Sequence, residues 1–253
     1  MIHLVIALIV FVCVFGSALL GLYVRALLPA HHLGEESIGV VKLATGLIAT
    51  MAALVLGLLI SSAKGSFDAV NGELVRNAAS VIRLDRVLAH YGPETQEIRG
   101  LLKRSFGQQI QILASGDPAQ MARLGSAEAV ARVEDLQRRL DDLSPATAKK
   151  HELQARAIQF ADEIQAVRWL AILQAQGSTP IPLLIALVLW LSIIFGAFGL
   201  FAPFNGTVIA TLFLGAVSTS GAIFLIEEMN TPLDGLIRLS LSPLRAALAI
   251  LGQ

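Results

Sequence analysis

The chain has 253 residues, of which 55% are hydrophobic and 15% are charged, and its mean hydropathy is +0.70. Soluble domains usually carry about 25% charged residues, so the composition argues against a soluble domain. The 19 basic and 19 acidic residues cancel, which gives no overall positive charge to attract nucleic acid. The single cysteine, Cys13, excludes a disulfide framework or a CxxC metal site within one chain.

Four segments are long and apolar enough to cross a bilayer, which takes roughly 20 apolar residues per helix. Uncharged runs of 21 residues cover Leu4–Val24 and Leu43–Ala63, and a run of 50 residues covers Gly177–Ile226. The turn-forming sequence FAPFNG (201–206) divides the third run in two. The first run lacks the basic residues and cleavage site of a signal peptide, so we interpret it as a retained helix. The predicted spans are 2–24, 43–63, 181–202 and 206–226.

Basic residues are concentrated between the second and third spans. Fifteen of the 19 lie between Lys64 and Arg168, whereas the 25–42 loop has two and the 203–206 turn has none. The positive-inside rule therefore predicts that the 64–176 segment and both termini are cytoplasmic.

The second span is predicted to continue into the cytoplasm without a break. Beyond Ser62, apolar residues recur every three or four positions, which is the stripe of an amphipathic helix that ends at Gly92-Pro93. The stripe consists of Phe67, Val70, Leu74, Ala78, Val81, Leu84, Leu88 and Tyr91. A narrow helical stalk leaves such a stripe uncovered, so we expect packing against copies of the chain and hence a homo-oligomer.

Further helices are predicted from Pro93 to Leu113, from 126 to 143, and from Ser144, where Ser144 would be the N-cap and Pro145 the first helical residue. No alternating strand pattern occurs. The predicted fold class is therefore all-α, a polytopic membrane protein with four transmembrane helices and a helical cytoplasmic extension between the second and third. The predicted parts are two spans with a short outer loop (1–63), the cytoplasmic region (64–176), a transmembrane hairpin (177–228) and an amphipathic cytoplasmic tail (229–253).

Three segments carry a family resemblance: Gly46–Glu94, Ser178–Asn205 and Ile223–Leu244. Their most specific motifs are Asn-x5-Asn-Ala-Ala, from Asn71 to Ala79, and acidic-x3-Pro-x2-Gly, from Glu228 to Gly235. Together they resemble the bacterial bestrophin-like family, which is remotely related to the bestrophin anion channels.

The resemblance implies a multi-pass protein of the bacterial inner membrane. Bestrophins are pentamers with four membrane helices, cytoplasmic termini and a helical cytoplasmic region, and the second helix of each subunit lines the pore. The second span here departs from that pattern, because it has no proline and no phenylalanine before Phe67. The resemblance therefore supports the architecture more strongly than it supports conduction.

The second span offers candidates for helix packing and for a pore. Small residues at Ala49, Ala53, Gly57, Ser61 and Gly65 form a ridge that permits close helix packing in lipid. The side we expect opposite the ridge carries Leu47, Met51, Leu54 and Leu58, which would form a hydrophobic constriction. The polar groups that would meet an anion are Thr45, Thr50, Ser61, Ser62 and Lys64, although Lys64 is also placed to reach the lipid interface. The predicted pore-lining residues are Thr50, Leu54, Leu58, Ser61 and Lys64.

The segment after the fourth span brings four oxygen-bearing side chains into eight residues: Glu227, Glu228, Asn230 and Asp234. Hard cations prefer oxygen ligands, so this is a candidate metal site. The alternative is a solvated turn at TPLDG. An amphipathic helix would follow, with Leu236, Ile237, Leu241, Leu244 and Leu248 facing lipid or a neighbouring surface.

No catalytic or phosphate-binding motif is present, so we expect neither an enzyme nor a cofactor. Two functions remain open. The first is an oligomeric anion-permeable channel, with membrane lipids, anions and copies of itself as partners. The second is a membrane-anchored helical scaffold or sensor that binds a cytoplasmic partner without conducting ions.

Overall fold

The computed structural model describes residues 2–29, 35–121, 126–174, 181–231, 237 and 239–253. Within these residues the regular structure is helical and no strand is found, which confirms the all-α prediction. The helices are α1 (Ile2–Leu27), α2 (Glu35–Tyr91), α3 (Gln96–Ser115), α4 (Pro118–Met121), α5 (Ala127–Asp141), α6 (Ala148–Gln174), α7 (Ile181–Phe201), α8 (Gly206–Asn230) and α9 (Ser242–Ile250), with a 3₁₀ turn at Pro93–Thr95.

Four of these helices are long and apolar enough to cross a membrane: α1, the Ile38–Tyr91 part of α2, α7 and α8. The predicted spans 2–24, 43–63 and 206–226 lie within α1, α2 and α8, and the predicted span 181–202 matches α7 to within one residue. Helix α2 runs unbroken from Glu35 to Tyr91, which confirms that the second span continues into the following segment. Gly72, the weakest point of the stripe, costs about 1 kcal/mol relative to alanine, which does not end a helix of this length.

The chain divides into two compact units. The first consists of Met1–Ser66 and Ser178–Asn230, and the second of Phe67–Gly177 and Thr231–Gln253. The predicted four-part division describes which segments lie in the membrane and which in the cytoplasm. That division stays a prediction.

In the first unit, α1 packs closely against α7 through residues that lack bulky side chains. A Cβ atom added to Gly21 would overlap the Gly196 carbonyl oxygen, and one added to Gly199 would overlap the Ala18 carbonyl oxygen. Small residues permit this close approach of helix backbones in lipid. Helix α1 also packs against α8, so it is the element that both helices of the α7–α8 hairpin share.

The turn between α7 and α8 lies at the predicted position. Helix α7 ends at Phe201 and α8 begins at Gly206. The Asn205 side-chain oxygen accepts a hydrogen bond from the Val208 backbone N–H at 2.8 Å, which satisfies an unpaired donor at the start of α8.

In the second unit, the stripe of α2 forms the centre of a hydrophobic core. Leu84 and Leu88 are fully buried, and they belong to one cluster with side chains of α3, α5, α6 and α9, among them Phe106, Leu140 and Ala157. The expectation that copies of the chain must cover this stripe is therefore wrong, because helices of the same chain cover it. The homo-oligomer prediction has to stand on other grounds.

Helix α6 begins at Ala148, and the predicted start at Ser144 is wrong. The Thr147 hydroxyl accepts a hydrogen bond from the Lys150 backbone N–H at 3.2 Å and acts as the cap. The Gln154 side chain donates to the carbonyl oxygens of Leu140 and Leu143, at 2.8 and 3.0 Å. These bonds hold the chain after α5 in a loop and move the helix start past Pro145.

The tail helix is shorter than predicted. Helix α9 begins at Ser242, with Pro243 in its first turn, so the described residues between Ile237 and Leu241 are not helical. Its apolar face packs on α3 in the second unit. Leu244 and Ala247 are buried there, so of the two predicted alternatives, lipid or a neighbouring surface, this face packs against a neighbouring surface, which the same chain supplies.

Candidate functional site

The membrane-spanning part of α2 turns one narrow face towards its own chain. Thr45, Ala52, Leu59 and Ala63 are buried, and their spacings of seven and four residues place them on one line along the helix. Ala49 is half-buried and packs at the edge of the same cluster. Thr45, which we predicted as a polar group available to an anion, lies on this covered face.

The predicted pore-lining residues all lie away from the covered face. Leu54 and Leu58 are 75% and 59% exposed, and Thr50, Ser61 and Lys64 are exposed as well. The Thr50 hydroxyl donates to the Leu47 carbonyl oxygen at 2.7 Å, which satisfies its hydrogen within the helix while leaving its oxygen outward. The structure thus gathers apolar and hydroxyl-bearing side chains on one uncovered side.

The small-residue ridge lies on the same uncovered side. Ala53, Gly57 and Gly65 are exposed, and a Cβ atom added to either glycine would meet nothing within 4 Å. At about 100° per residue, Leu54 is only about 60° around the helix from Gly57. The leucines are therefore beside the ridge rather than opposite it, because the covered face occupies the opposite side.

The last turn of α8 contains two acidic residues of the candidate metal site, and both are buried. Glu227 and Glu228 are 8% and 4% exposed, and Asn230 is half-buried. His3 Nδ1 lies 3.9 Å from a Glu227 carboxylate oxygen. The described residues contain no group of three or more His, Cys, Asp or Glu side chains that could hold a metal ion. Asp234 lies outside the described residues, so the metal site stays a prediction.

The apolar stripe of α2 in the second unit contains polar side chains that pattern reasoning passed over. Asp85 is 1% exposed and forms a bidentate pair with Arg99, with N–O distances of 2.8 and 2.9 Å. Hydrogen bonding to Asp85 raises the pKa of the Arg99 guanidinium, against the opposing effect of burial. Ser80 donates to Glu163 at 3.1 Å. Ser80 and Asp85 each lie next to a residue of the stripe and therefore face the same partner helices. This position was the sequence signal that could have identified them.

Asn77 is the second missed residue, and it belongs to the Asn-x5-Asn-Ala-Ala motif. It is 2% exposed, and its side-chain oxygen has no hydrogen-bond partner among the described residues. The motif identified this position, but only the packing of α3, α5 and α6 around it shows that the side chain is buried.

The sequence matches the profile of the Bestrophin-like domain over residues 10–244. The chain belongs to the Bestrophin-like family. Four apolar helices and this membership together identify a bestrophin-like membrane protein. No curated protein matches the sequence.

The fold is similar to that of a bacterial bestrophin homolog from Klebsiella pneumoniae, solved as a crystal structure of a variant. The TM-score is 0.64 at 15% sequence identity, and the match covers 94% of this chain and 98% of that chain. At this identity the likeness shows a shared fold. Nearly complete coverage of both chains means that the fold as a whole is shared, including the helices of the second unit.

Proposed function

We propose that this protein is a homo-oligomeric, anion-permeable channel of the bacterial inner membrane, with α2 of each copy lining the pore. The carrying observation is that α2 is the least covered of the four spans found among the described residues and has polar side chains on its uncovered side. Of the 18 most apolar consecutive residues of α2, only 11% are buried within the chain. The corresponding shares are 22% for α1, 17% for α7 and 28% for α8. In a bestrophin the second helix lines the pore, so family membership supports the same assignment.

Exposure of apolar residues is no argument by itself, because lipid covers leucine without cost. The polar side chains that lie among them favour a pore over a surface that faces lipid. Polar groups and an ammonium group are unfavourable against lipid tails, yet Ser61 and Lys64 occupy the uncovered side. Thr50 lies there too, with its hydroxyl hydrogen bonded to the Leu47 carbonyl oxygen. Gly57 and its neighbouring small residues on that side allow another backbone to approach closely. We infer that a second copy and a water-filled path, rather than lipid alone, cover this side.

In such an assembly Leu54 and Leu58 would form rings at the narrow part of the path. Rings of apolar side chains gate by excluding water. Lys64, one helical turn beyond Ser61, would form a ring of positive charge that attracts anions before they reach the constriction. The expected permeant species is therefore an anion.

The test is anion flux into liposomes that contain the purified full-length oligomer. Leu58→Ser should raise flux, because a hydroxyl wets the constriction, whereas Leu214→Ser should leave flux unchanged. Leu214 is the matched control, since it is 66% exposed on α8. An intact oligomer that never conducts anions, with or without Leu58→Ser, would overturn the channel proposal.

Helix packing through the ridge is tested separately by Gly57→Leu. We expect this variant to lose the oligomer on size-exclusion chromatography, since the leucine side chain separates backbones that must approach closely. Gly16→Leu on α1 is the control, because a Cβ added there also meets nothing within 4 Å. An intact Gly57→Leu oligomer with reduced flux would instead place the ridge on the pore.

The orientation is part of the proposal. In a Cys13→Ser background, a membrane-impermeant thiol reagent applied to intact cells should label Phe204→Cys in the α7–α8 turn and not Gln120→Cys. The clustered basic residues between the second and third spans are the reason. The reverse labelling would contradict cytoplasmic termini and a cytoplasmic second unit.

The alternative function is a membrane-anchored scaffold or sensor. One observation favours it: the second unit has a hydrophobic core of its own, which a pore does not require. Under this function the oligomer would carry no flux, and the proteins bound by the intact chain would be lost when exposed side chains of the second unit are changed. Neither function requires catalytic residues or a cofactor, and the neutral net charge gives no reason to propose a nucleic-acid partner.

A further inference from the structure

The second unit contains a buried amide whose polar chemistry is incomplete. Asn77 on α2 is 2% exposed, and its Oδ1 atom has no hydrogen-bond partner among the described residues. A buried carbonyl oxygen without a donor costs stability, and such groups are rare in folded proteins. A donor that the described residues do not supply is therefore expected at this atom.

Asn77 lines a cavity of approximately 100 Å³ that α2, α3, α5 and α6 enclose. Its inner wall is apolar, with buried side chains that include Val81, Phe106 and Leu136. Its polar lining includes Ser105, Gln109 and Gln165. Arg132 on α5 is exposed and lies at the outer edge of the cavity. The cavity thus has a hydrogen-bond acceptor at its buried end and a cation at its open end.

We propose that this cavity binds a small monoanionic hydroxycarboxylate. The hydroxyl group donates to Asn77 Oδ1, the carbon chain contacts the apolar wall, and the carboxylate lies against Arg132. The proposal concerns the second unit alone and does not rest on ion conduction.

The charge of the ligand follows from the lining. Among the described residues that line the cavity, Arg132 is the one charged side chain and none carries a carboxylate. Arg132 also takes part in none of the ion pairs found among the described residues of this unit. A planar guanidinium binds a carboxylate through two parallel hydrogen bonds. Because Arg132 supplies one positive charge to the described lining, the ligand is expected to carry a single negative charge.

The donor at the buried end is a hydroxyl rather than an ammonium group. A buried ammonium requires a compensating negative charge, and the cavity lining provides none. A hydroxyl is neutral and both donates and accepts hydrogen bonds. It therefore matches the Asn77 amide in either orientation of its oxygen and nitrogen.

The size limits the ligand to a short chain. A cavity of about 150 Å³ accommodates benzene, which has about six non-hydrogen atoms, and this cavity is smaller but open at one end. Three-carbon hydroxy acids such as lactate fit this limit. The apolar wall would contact the methyl group, and the half-buried Gln109 and Gln165 amides can complete the hydrogen bonds of the carboxylate.

The experiment is calorimetric titration of the purified full-length protein with L-lactate and with propionate, at constant ionic strength. Propionate has the same carboxylate and chain but lacks the hydroxyl. We expect lactate to bind about ten-fold more tightly, which is the ratio that one buried hydrogen bond provides. Asn77→Leu should remove the difference between the two ligands by removing the acceptor.

Arg132→Gln should lower the affinity for lactate and for propionate by a similar factor, and Arg138→Gln should lower neither affinity. Arg138 is the matched control, because it lies on the same helix, its side chain is 71% exposed, and it does not line the cavity. Arg132 is exposed and takes part in none of the ion pairs found among the described residues of this unit, so we expect Arg132→Gln to fold. This pair therefore keeps the test valid if Asn77→Leu fails to fold.

Three results would overturn the proposal. The first is the lack of saturable lactate binding to the wild-type protein. The second is equal affinity for lactate and propionate, which would mean that solvent satisfies Asn77. The third is an equal loss of lactate binding in Arg132→Gln and Arg138→Gln, which would indicate attraction by general positive charge.

Discussion

Helix α2 has similarly spaced apolar residues in its first-unit stretch, which ends at Ser66, and in its second-unit stretch, which begins at Phe67. The two stretches differ in whether the same chain buries these residues. Before Ser66, Leu54 and Leu58 are 75% and 59% exposed, whereas beyond Phe67 both Leu84 and Leu88 are 0% exposed. Burying a leucine from water stabilises a protein by roughly 1.5–3 kcal/mol, but lipid tails are as apolar as leucine and give no such drive. Periodicity therefore predicts that a helix has an apolar face. Whether the same chain must cover that face depends on whether water or lipid surrounds it.

Polar residues of α2 show the same contrast, since several of the first stretch are exposed and several of the second stretch are buried. In the first stretch Thr50 and Ser61 are exposed, and in the second Asn77 and Asp85 are buried. A buried carboxylate has to be paired, and Arg99 pairs with Asp85 through two hydrogen bonds. The second unit is therefore specified by particular polar partners, whereas packing in the first unit depends on the absence of side chains at the α1–α7 contact.

The largest expected effect concerns that contact. Gly199→Ala should largely abolish the folded protein recovered in detergent, because the added Cβ would overlap the Ala18 backbone rather than a flexible side chain. Gly16→Ala on α1 should be neutral, since nothing lies within 4 Å of the added atom. The readout is the monodisperse yield by size-exclusion chromatography. Equal yields of the two variants would show that α1 and α7 do not approach this closely.

The next effect tests the polar partners of the second unit. Asp85→Ala should lower the free energy of unfolding by about 4 kcal/mol, because it leaves the Arg99 charge, whose side chain is 18% exposed, without its partner. Glu152→Ala removes an ion pair whose side chains are 63% and 60% exposed, and should cost at most about 0.5 kcal/mol. Thermal unfolding in one detergent measures both. Similar losses would mean that burial of the Asp85–Arg99 pair has no energetic consequence.

A direct comparison of the two stretches uses the same substitution in each. Leu84→Ala should destabilise the protein by about 3 kcal/mol through lost burial and the cavity that remains. Leu54→Ala should leave the unfolding temperature of the detergent-solubilised protein nearly unchanged, since its side chain has little contact within the chain. The comparison would fail if Leu54→Ala were the more damaging change, and an oligomer contact at Leu54 would then be indicated.

The smallest expected effect is a pH dependence at the surface of the second unit. A hydrogen bond from Lys150, 2.6 Å from the carboxylate, lowers the pKa of Glu94 below 4.5. Because the folded pKa is depressed, the pair contributes stability above the unfolded pKa of 4.5, and the contribution is lost as the pH falls through the folded pKa. Lys150→Met should therefore lower the unfolding temperature slightly at neutral pH and not in strong acid. A difference that persists in strong acid would assign the effect to contact of Lys150 with the Tyr91 ring, 4.9 Å away.

The spans of the first unit and the continuation of α2 into the second unit could be predicted from the sequence. Uncharged runs and the FAPFNG turn determined four spans, because a bilayer imposes a fixed apolar length on each helix. The unbroken stripe from Phe67 to Tyr91 determined the continuous α2, because nothing in it opposes helical geometry. The Asn-x5-Asn-Ala-Ala motif and the acidic motif near Glu228 indicated the family, which the match over residues 10–244 confirms.

Tertiary structure alone decided which surfaces the chain covers for itself. The stripe of α2 required a partner by its periodicity, but local sequence does not encode whether α3 and α9 of the same chain or a second copy supplies it. The start of α6 at Ala148 depended on bonds from Gln154 back to the end of α5 and the loop that precedes α6. The unsatisfied Asn77 depended on three helices meeting around it. Periodicity and composition act over a few turns of chain, whereas burial is the sum of contacts between segments far apart in sequence.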